Sequence, residues 1–587
     1  MKRLISLLLT LSLCTGLFSG CGQKQSGEGD TQPSQWPDAI RIELSDGGVQ
    51  VNGETAPTDP SATVYTANDI VYYEAGRDFT YGEGTEADAH SAAEAAAHTV
   101  VHITQPGSYV LSGTLSAGQV AVDLGEDAEE DPEAVVTLIL NGVDITCTVA
   151  PAVIFYRVYE CGSTDTETAA KDVDTSAAGA NVLIADGTAN TVNGSYVARI
   201  YKPDSVVLSE DGTEVVEEKK LHKYDAAFYS RMSMNVDGGE EGTGALYINA
   251  ENEGLDSELH LTMNGGVIDI RSGNDGINTN EDGVSVTTIN GGDLAITVTG
   301  ETGEGDGIDS TGWLVINGGS VVAAACADSA DSGIDSDMGI HLNGGFVMAS
   351  GHMLDRIEDG GQNYMVFHFA QPQSGGTVMA TGQMLDRIED GGQNYAVFNF
   401  SQVQSGESTV TLKNEAGEEL MALMPQNDYS ILIYSSPELT AGDYTLWSNE
   451  TQLVGSTGGM MGGFGMGGGM RPEGMTPHDG QELQEMPEGT EPPAMPEGFD
   501  PAQRPGDAER PEGSQRPEGE FQPEMNEDGT ITLPDGTTID PAEMTPPEGG
   551  FGGGGFRGQG GEADGETTTA FTVADGGMMF SRVGPAE

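Results

Sequence analysis

One short turn recurs five times between residues 236 and 345, and it restricts the chain to few folds. Each turn has an apolar residue followed by Asn-Gly-Gly, with Asp237 in place of Asn in the first copy, and successive turns lie 27, 26, 27 and 26 residues apart. A fixed period of this length is typical of stacked coils and not of a single globular core. The five copies are residues 236–239, 263–266, 289–292, 316–319 and 342–345.

Apolar residues alternate with other residues on both sides of each turn. Leu261 and Met263 precede the second turn at alternate positions, and Ile268 and Ile270 follow it in the same way. A period of two indicates β-strands, and no 3.6-residue apolar stripe indicates a helix. The pattern therefore predicts an all-β chain: a right-handed parallel β-helix followed by a small antiparallel β domain, with a disordered Gly/Pro/Glu/Met-rich insertion.

Changes of composition divide the chain into six segments. Gly, Pro and Glu at the density found after residue 455 cannot bury enough apolar surface to offset the entropy of ordering, so that segment is predicted to be disordered. The small β domain contains two identical 12-residue stretches at a 31-residue offset. The predicted segments are a signal peptide (1–21), a tether (22–36), the β-helix (37–350), the small β domain (351–454), the disordered segment (455–566) and terminal strands that complete the small β domain (567–587).

The first 21 residues predict export and a lipid anchor. Lys2 and Arg3 precede an apolar stretch that is too short to span a bilayer and is typical of a signal peptide. The following Phe-Ser-Gly-Cys21 is similar to the bacterial lipobox, in which the Cys is lipidated. We therefore expect lipidation at Cys21, a membrane partner through this anchor, and a location at the cell surface on the extracellular face of the cytoplasmic membrane.

The charge balance excludes one class of partner and favours another. The chain has 94 acidic and 23 basic residues, for a formal net charge of −71. Nucleic acid is excluded as a partner because phosphate binding needs Lys and Arg. Such a chain is kept soluble by self-repulsion, and it can also collect cations. Cys147 and Cys161 could form a disulfide, but no Cys/His cluster points to zinc.

A second signature in each coil places acidic residues at fixed positions. It has the form Asp/Glu-Gly-Ile/Leu-Asp/Asn, with Ser332 in the acidic position of the last copy. The Ile or Leu is expected to face inward, so that the next residue forms an outward ladder with neighbours about 4.8 Å apart. Carboxylates at that separation repel by about 1 kcal/mol in water and more at a protein surface. The four copies are residues 253–256, 275–278, 306–309 and 332–335.

Few basic residues are available to neutralise these ladders. Residues 232–350 contain 20 acidic residues and one Arg, Arg271, while His260 and His341 are predicted to be surface residues. Ca²⁺ takes six to eight oxygen ligands and would relieve the repulsion. The alternative is that the residues only form hydrated turns. The predicted calcium ligands are Glu253, Asp256, Asp275, Asn278, Asp306, Asp309, Asp331 and Asp335.

Several motifs together resemble a known family. Four further motifs accompany the Gly-Ile-Asp and Asn-Gly-Gly coils, at residues 106–115, 138–145, 225–230 and 435–439. Together these motifs resemble the carbohydrate-binding β-helix family of clostridial surface proteins. The resemblance covers about residues 40 to 450. It implies a pectate-lyase-like fold, calcium at corners such as Asp306 and Asp309, and binding of acidic polysaccharides such as polygalacturonate or of cellulose-like glucans.

The residues favour a binding protein over an enzyme. A lyase needs a base beside the sugar's acidic carbon, and in the regular coils Arg271 is the one candidate. We therefore predict non-catalytic, calcium-dependent polysaccharide binding, with a pectate-lyase-type enzyme and a structural surface adhesin as the alternatives. The aromatic candidates for stacking on sugar rings are Tyr229, Tyr247 and Trp313, each of which could equally serve packing.

Overall fold

The computed structural model describes residues 35–209, 212–300, 305–327, 329, 331–352, 367–369, 375–383, 388–389, 392–457, 531–532, 538–539 and 568–585. The predicted signal peptide, Cys21 and most of the tether lie outside the described residues. So do the first copy of the duplication and nearly all of the segment that is predicted to be disordered.

The regular secondary structure of the described residues is almost entirely strand, so the prediction of an all-β chain is confirmed. Among them, the one α-helix is α1 (Ala92–Ala95), where the Ser91 side chain accepts a hydrogen bond from the Glu94 backbone. No helix among them is long and apolar enough to cross a membrane. The strands before the regular coils are β1 (Ile40–Leu44), β2 (Gln50–Val51), β3 (Glu54–Thr55), β4 (Val64–Ala67), β5 (Thr99–Ile103), β6 (Gly107–Leu115), β7 (Gly118–Asp123), β8 (Val136–Thr146), β9 (Val153–Arg157), β10 (Ala180–Ile184), β11 (Ala189–Gly194), β12 (Val197–Tyr201), β13 (Val207–Leu208), β14 (Val215–Glu217) and β15 (Lys220–Tyr224).

The regular coils contribute short strands separated by the repeated turns. Their bounds are β16 (Ala226–Ser230), β17 (Met234–Asp237), β18 (Ala245–Ala250), β19 (Glu253–Ser257), β20 (His260–Met263), β21 (Val267–Ser272), β22 (Ile277–Thr279), β23 (Val286–Ile289), β24 (Asp293–Val298), β25 (Ile308–Ser310), β26 (Trp313–Ile316), β27 (Ser320–Ala324), β28 (Gly339–Leu342), β29 (Phe346–Ser350), β30 (Phe367–Phe369), β31 (Thr377–Gly382) and β32 (Ile388–Glu389).

The remaining strands lie in two compact units. The first unit comprises residues 1–462 and 565–587, and the second comprises residues 463–564. Besides β1 to β32, the first unit contains the strands β33 (Tyr395–Gln404), β34 (Val410–Asn414), β35 (Glu419–Leu423), β36 (Tyr429–Ser435), β37 (Gly442–Ser448), β38 (Thr451–Thr457), β41 (Phe571–Val573) and β42 (Met578–Pro585). In the second unit the described strands are β39 (Ile531–Thr532) and β40 (Thr538–Ile539), which pair antiparallel.

Strands one repeat apart pair in parallel and form three ladders. The first ladder runs β8, β10, β17, β20, β23, β26, β28, β30 and β32. The second runs β6, β8, β11, β18, β21, β24, β27, β29 and β31, and the long strands β6 and β8 pair along both halves. The third runs β5, β7, β9, β16, β19, β22 and β25.

The core is made of the inward-facing residues of the three ladders. In the third ladder Phe228, Leu255, Ile277 and Ile308 lie in register, and all four are completely buried. The apolar residues that occupy alternate positions on both sides of each turn lie in the same core, as predicted. At roughly 25 cal/mol per Å² of apolar surface, burial of this continuous column is the main force that stacks the coils.

The Asn-Gly-Gly turns form a second column outside the core. The amide nitrogens of Asn290, Asn317 and Asn343 each donate to Oδ1 of the Asn one coil earlier, all at 2.9 Å. The second Gly of every turn has positive φ, for example +92° at Gly292, which explains why Gly stands at that position. The Asn ladder and the Gly together fix the register of successive coils.

Gly292→Ala is expected to lower the free energy of unfolding by about 2–4 kcal/mol. A Cβ at this position would lie 2.7 Å from the Gly266 carbonyl oxygen, and Ala disfavours the φ of +92°. Chemical denaturation measures the loss. Gly265→Ala is the control, because its nearest neighbour would be 3.6 Å away, and a comparable loss in this control would contradict the explanation.

Antiparallel strands lie beside the first strand of the third ladder and beside both ends of the second ladder, which β1 extends by pairing in parallel with β6. At one end β4 pairs antiparallel with β5, and β2 pairs antiparallel with β1. At the other end β36 pairs antiparallel with both β31 and β33. A parallel ladder would otherwise expose unpaired backbone groups at each end, and such edges promote association with other chains.

The C-terminal strands form a second hydrophobic core. Strand β41 pairs with β37, while β42 pairs with β33 and β38. Phe398 contacts Phe571 and Phe580 there, with both ring centroids 5.3 Å away. Cys147 and Cys161 are unpaired in this structure, so the disulfide considered from the sequence is absent.

Candidate metal centre

The acidic signature residues lie side by side on the third ladder. Asp256 pairs in register with Asn278, and Asn278 with Asp309, while an isolated bridge joins Ile308 to Ile334 of the next coil. Alternation along each strand points these side chains away from the core. Asp256 and Asn278 are nevertheless buried, whereas Asp309 is half-buried, so the predicted outward ladder is largely covered by other residues.

Residues from the segment before the regular coils contribute to this covering. Strand β15 brings Lys223 Nζ to 2.7 Å from Asp225 Oδ2, and Lys220 Nζ to 3.1 Å from Glu258 Oε1. The count of basic residues in 232–350 missed both lysines, because they precede the regular coils in sequence. Part of the acidic charge on this face is therefore neutralised by the protein itself.

Three carboxyl groups converge to form what we call the first carboxylate cluster: Asp225, Glu253 and Asp256. One oxygen of each lies within 4.8 Å of the others, and all three residues are buried. Asp225 was not predicted as a ligand. It precedes Ala226, which pairs with Glu253, so the register of β16 against β19 brings Asp225 to the cluster.

Several oxygen atoms at the first carboxylate cluster have no hydrogen-bond partner among the described residues. They are Glu253 Oε2, Asp256 Oδ2 and Asn278 Oδ1. The opposite carboxylate oxygens are bonded, since Asn278 donates to Glu253 Oε1 at 3.3 Å and Asn280 donates to Asp256 Oδ1 at 2.8 Å. Buried oxygens without donors cost roughly 1–3 kcal/mol each, and the cost is higher for charged groups. A hard cation takes oxygen ligands of this kind.

The pKa of every carboxyl group in the first carboxylate cluster is raised, and burial is the largest cause at each. Burial is the main cause at Glu253, whose pKa is well above its ordinary value, and the nearby charges of Asp225 and Asp256 add to it. The pKa of Asp256 is also well above its ordinary value, through burial and then the charge of Asp225. At Asp225 burial raises the pKa, while Lys223 opposes the rise. A bound divalent cation would stabilise the ionised forms.

A second carboxylate cluster, Asp306, Asp309 and Asp335, lies further along the ladder. Its oxygens also approach within 4.8 Å of one another. Asp335 Oδ1 accepts a 2.8 Å hydrogen bond from the Ser336 backbone, and Asp306 Oδ1 accepts one from the Ser332 backbone. Burial, followed by the charge of Asp335, raises the pKa of Asp306 well above its ordinary value.

The two other predicted acidic ligands lie outside both clusters. Asp275 Oδ1 accepts a hydrogen bond from the Asp306 backbone at 2.7 Å, and Asp331 Oδ2 accepts one from the Gly305 backbone at 2.6 Å. Each therefore holds the backbone of a neighbouring coil. Their role as metal ligands stays a prediction.

A small cavity lies beside the first carboxylate cluster. Its volume is about 250 Å³, and its lining includes Asp225, Glu253, Lys223, Arg199 and Tyr196. Two of the three cluster members, Asp225 and Glu253, therefore border this cavity.

The structure changes the assignment of two aromatic rings. Tyr229 is 1 % exposed, donates its hydroxyl hydrogen to Glu258 and packs edge-on against Tyr224 at 5.2 Å, so it cannot present a face to a sugar. His260, expected at the surface, is 2 % exposed; its Nδ1 lies 3.1 Å from the donating Val286 N–H, and burial lowers its pKa to about 4. Tyr247 is 43 % exposed on the second ladder, and Trp313 is half-buried on the first.

In calcium-free buffer the first carboxylate cluster is expected to make the protein less stable as the pH rises. Since the folded pKa values of its carboxyl groups are raised, the folded state binds more protons than the unfolded state above about pH 4, and the free energy of unfolding falls with increasing pH. Denaturation in EGTA from about pH 5 to about pH 8 tests this. The free energy of unfolding of Glu253→Gln should fall less with pH than that of the wild type. His260 contributes equally to both proteins, so identical pH profiles would contradict the prediction.

Comparison with known proteins gives one family match and one curated relative. Residues 97–361 match a family model described as carbohydrate-binding domain-containing protein. A protein of the same description from Acetivibrio thermocellus is 28 % identical over 173 residues, which cover 29 % of this chain and 45 % of the relative. The match thus spans less than half the length of that relative. Residues 97–361, which match the family model, include the first carboxylate cluster and most of the three ladders.

One solved structure matches at low similarity. It is a polysaccharide lyase-like protein from C. thermocellum in a gadolinium derivative, and the alignment covers 60 % of this chain and 98 % of that chain. The sequence identity is 19 % and the TM-score is 0.29.

Proposed function

We propose that this protein binds polysaccharide at the bacterial cell surface without catalysis, and that calcium bound by the carboxylate clusters is required for acidic polymers. In this proposal the three ladders are the faces of a right-handed parallel β-helix. The match of residues 97–361 to the carbohydrate-binding family model supports the general function. The specific polymers, polygalacturonate-like chains and cellulose-like glucans, come from the resemblance of the sequence motifs.

The observation that carries the calcium proposal is the set of unpartnered oxygens at the first carboxylate cluster. Glu253 Oε2 and Asp256 Oδ2 are buried and lack hydrogen-bond donors among the described residues. Together with Asp225 they offer a hard, oxygen-only ligand set, which suits Ca²⁺ and not a soft metal. Asn278 Oδ1 adds a neutral oxygen of the kind that calcium sites also use.

Calcium would also explain how so acidic a chain binds an acidic polymer. A net charge of −71 repels uronate carboxylates, whereas a divalent ion held between protein and polymer attracts both. We expect polygalacturonate affinity to vanish in EGTA while the affinity for a neutral glucan persists. Isothermal titration with calcium and then polygalacturonate tests this, and uronate binding that survives exhaustive chelation would overturn it. A glycan array with no signal under either condition would favour a protein-binding adhesin.

The positions of the basic residues support binding over lyase chemistry. Arg271 lies on the second ladder, in register with Asn249 and Thr297, whereas both carboxylate clusters lie on the third. Lys223 does adjoin the first carboxylate cluster; burial lowers its pKa, but the charge and hydrogen bond of Asp225 outweigh burial and raise it. A lysine held as an ammonium ion cannot accept a proton. Release of unsaturated uronate from pectate that is lost in Arg271→Ala or Lys223→Met would refute the non-catalytic proposal.

Lys223→Met is expected to tighten calcium binding at least about tenfold, equivalent to about 1.4 kcal/mol. The ammonium group lies 2.7 Å from Asp225 Oδ2 and competes with a metal ion for the first carboxylate cluster. Titration of the purified variant with calcium measures the change. Lys220→Met is the matched control, because that lysine pairs with Glu258 outside the cluster. Unchanged or weaker binding in Lys223→Met would place the ion elsewhere.

The surface location is proposed from the N-terminal sequence. Lipidation of Cys21 would tether the protein to the outer face of the cytoplasmic membrane. Cys21→Ala should shift the protein from the membrane fraction to the medium. Equal membrane association of both forms would reject the anchor.

A further inference from the structure

A large groove lies on the first ladder, separate from the third ladder that carries both carboxylate clusters. Its volume is about 780 Å³. The groove floor is a column of side chains that alternate with core residues and therefore face away from the core. In register along the ladder these are Thr137, Asn181, Asn235, Thr262, Thr288 and Val315.

The segment 171–176 forms one wall of the groove and is fixed to its floor. Thr175 Oγ1 lies 2.8 Å from Asn235 Oδ1 and 2.7 Å from Thr262 Oγ1. The Asn235 amide nitrogen donates to the Thr175 carbonyl oxygen at 2.8 Å. Three hydrogen bonds therefore hold the wall to the floor. Beyond the wall the floor is more accessible, since Thr288 is only half-buried.

The opposite side of the groove is the ladder of turn amides. Asn264, Asn290 and Asn317 line the groove and are exposed. Each of these amides donates at most one N–H to one neighbouring Asn and accepts at most one hydrogen bond from the other. Each amide can therefore still donate and accept further hydrogen bonds. The groove floor thus repeats hydroxyl and amide groups at the strand spacing of about 4.8 Å, over about 19 Å from Thr137 to Thr288, and the next floor residue is the apolar Val315.

The charges that line the groove disfavour an anion. Its carboxylates are Asp172, Asp174 and Asp237, and its one lining cation among the described residues, Lys171, is already 2.8 Å from Asp172. No aromatic ring is among the described lining residues, so a sugar could not be held by stacking. What remains is hydrogen bonding, which suits a ligand that is rich in hydroxyls and carries no negative charge.

We propose that this groove is a second glycan site, which binds an uncharged linear oligosaccharide along the ladder without calcium. The inference rests on the proposed polysaccharide binding and adds to it the location at which a neutral polymer is bound without metal. The regular repeat of donors and acceptors suits a polymer, because each coil offers the next sugar a similar set of groups. The tied wall at Thr175 makes the site preformed, which reduces the entropy lost on binding.

Calorimetric titration of the full protein in EGTA with soluble gluco-, manno- and xylo-oligosaccharides tests the proposal. Thr288→Arg places a long side chain on the half-buried floor and should weaken binding at least tenfold. Asn290→Ala removes one turn amide and should weaken it severalfold. Thr297→Arg is the matched control: it adds the same side chain at a half-buried position on the second ladder and should leave affinity unchanged.

The outcomes separate this proposal from the calcium proposal. Absence of binding to every uncharged oligosaccharide in EGTA would overturn the groove as a glycan site, and so would equal losses in Thr288→Arg and Thr297→Arg. Asp256→Asn should leave this calcium-free binding intact while it removes calcium-dependent uronate binding. If instead uronate binding fails in the wild type and neutral binding persists, the calcium proposal falls and the groove proposal stands.

Discussion

Asp256→Asn is expected to abolish calcium binding at the first carboxylate cluster and with it the calcium-dependent gain in stability. Asp256 is completely buried, and its Oδ2 is one of the oxygens that lack a donor among the described residues. An ion present at about 100 times its dissociation constant stabilises the folded state by about 2.7 kcal/mol. The difference in thermal unfolding between calcium and EGTA should therefore be clearly smaller in the variant than in the wild type, and what remains in the variant is the contribution of the second carboxylate cluster.

The same substitution should act in the opposite direction when no metal is present. Without calcium the variant is expected to be more stable than the wild type, because it removes one buried charge from a repelling group. Asp293→Asn is the control, since that side chain is exposed on the second ladder. A wild-type melting temperature that does not respond to calcium would remove the basis of the metal proposal.

Phe398→Ala is expected to lower the free energy of unfolding by about 3–5 kcal/mol, because it opens a cavity in the C-terminal core. Phe398 is completely buried against Phe571 and Phe580, which lie on the two terminal strands. Chemical denaturation measures the loss, and limited proteolysis should release residues 568–585 sooner from the variant. Val403→Ala is the control, because Val403 lies on the same strand but is 55 % exposed. Equal effects of the two substitutions would show that the strands are held by other contacts.

The all-β class and the inward positions follow from the sequence because they depend on local alternation. Leu255, Ile277 and Ile308 could be assigned to the core from their place in a repeated motif, and all three are buried. The repeated Gly at the end of each turn could also be recognised in the sequence, and its positive φ in the structure explains why Gly stands there. Such features need only the order of residues within one coil.

The site was less accessible to sequence reasoning because it depends on contacts between distant segments. Glu253 and Asp256 were predicted as ligands, but Asp225 joins them through the register of β16 against β19. Lys223 enters from a strand that precedes the regular coils, so a count over the coils could not include it. Tyr224 on the same preceding strand packs against Tyr229, which explains why the Tyr229 ring is buried and cannot stack on a sugar. The metal itself stays a prediction.

The antiparallel strands at β4 and β36 have a consequence for how the molecule can evolve. Within the regular coils each ladder strand pairs with strands of the two adjacent coils, so a whole 26- or 27-residue unit can be gained or lost there while strands β4 and β36 are kept. In the proposed function, the number of coils sets the distance over which a polymer would be held. Relatives of this protein could therefore differ in reach while they keep the same two ends and remain protected from end-to-end fibre growth.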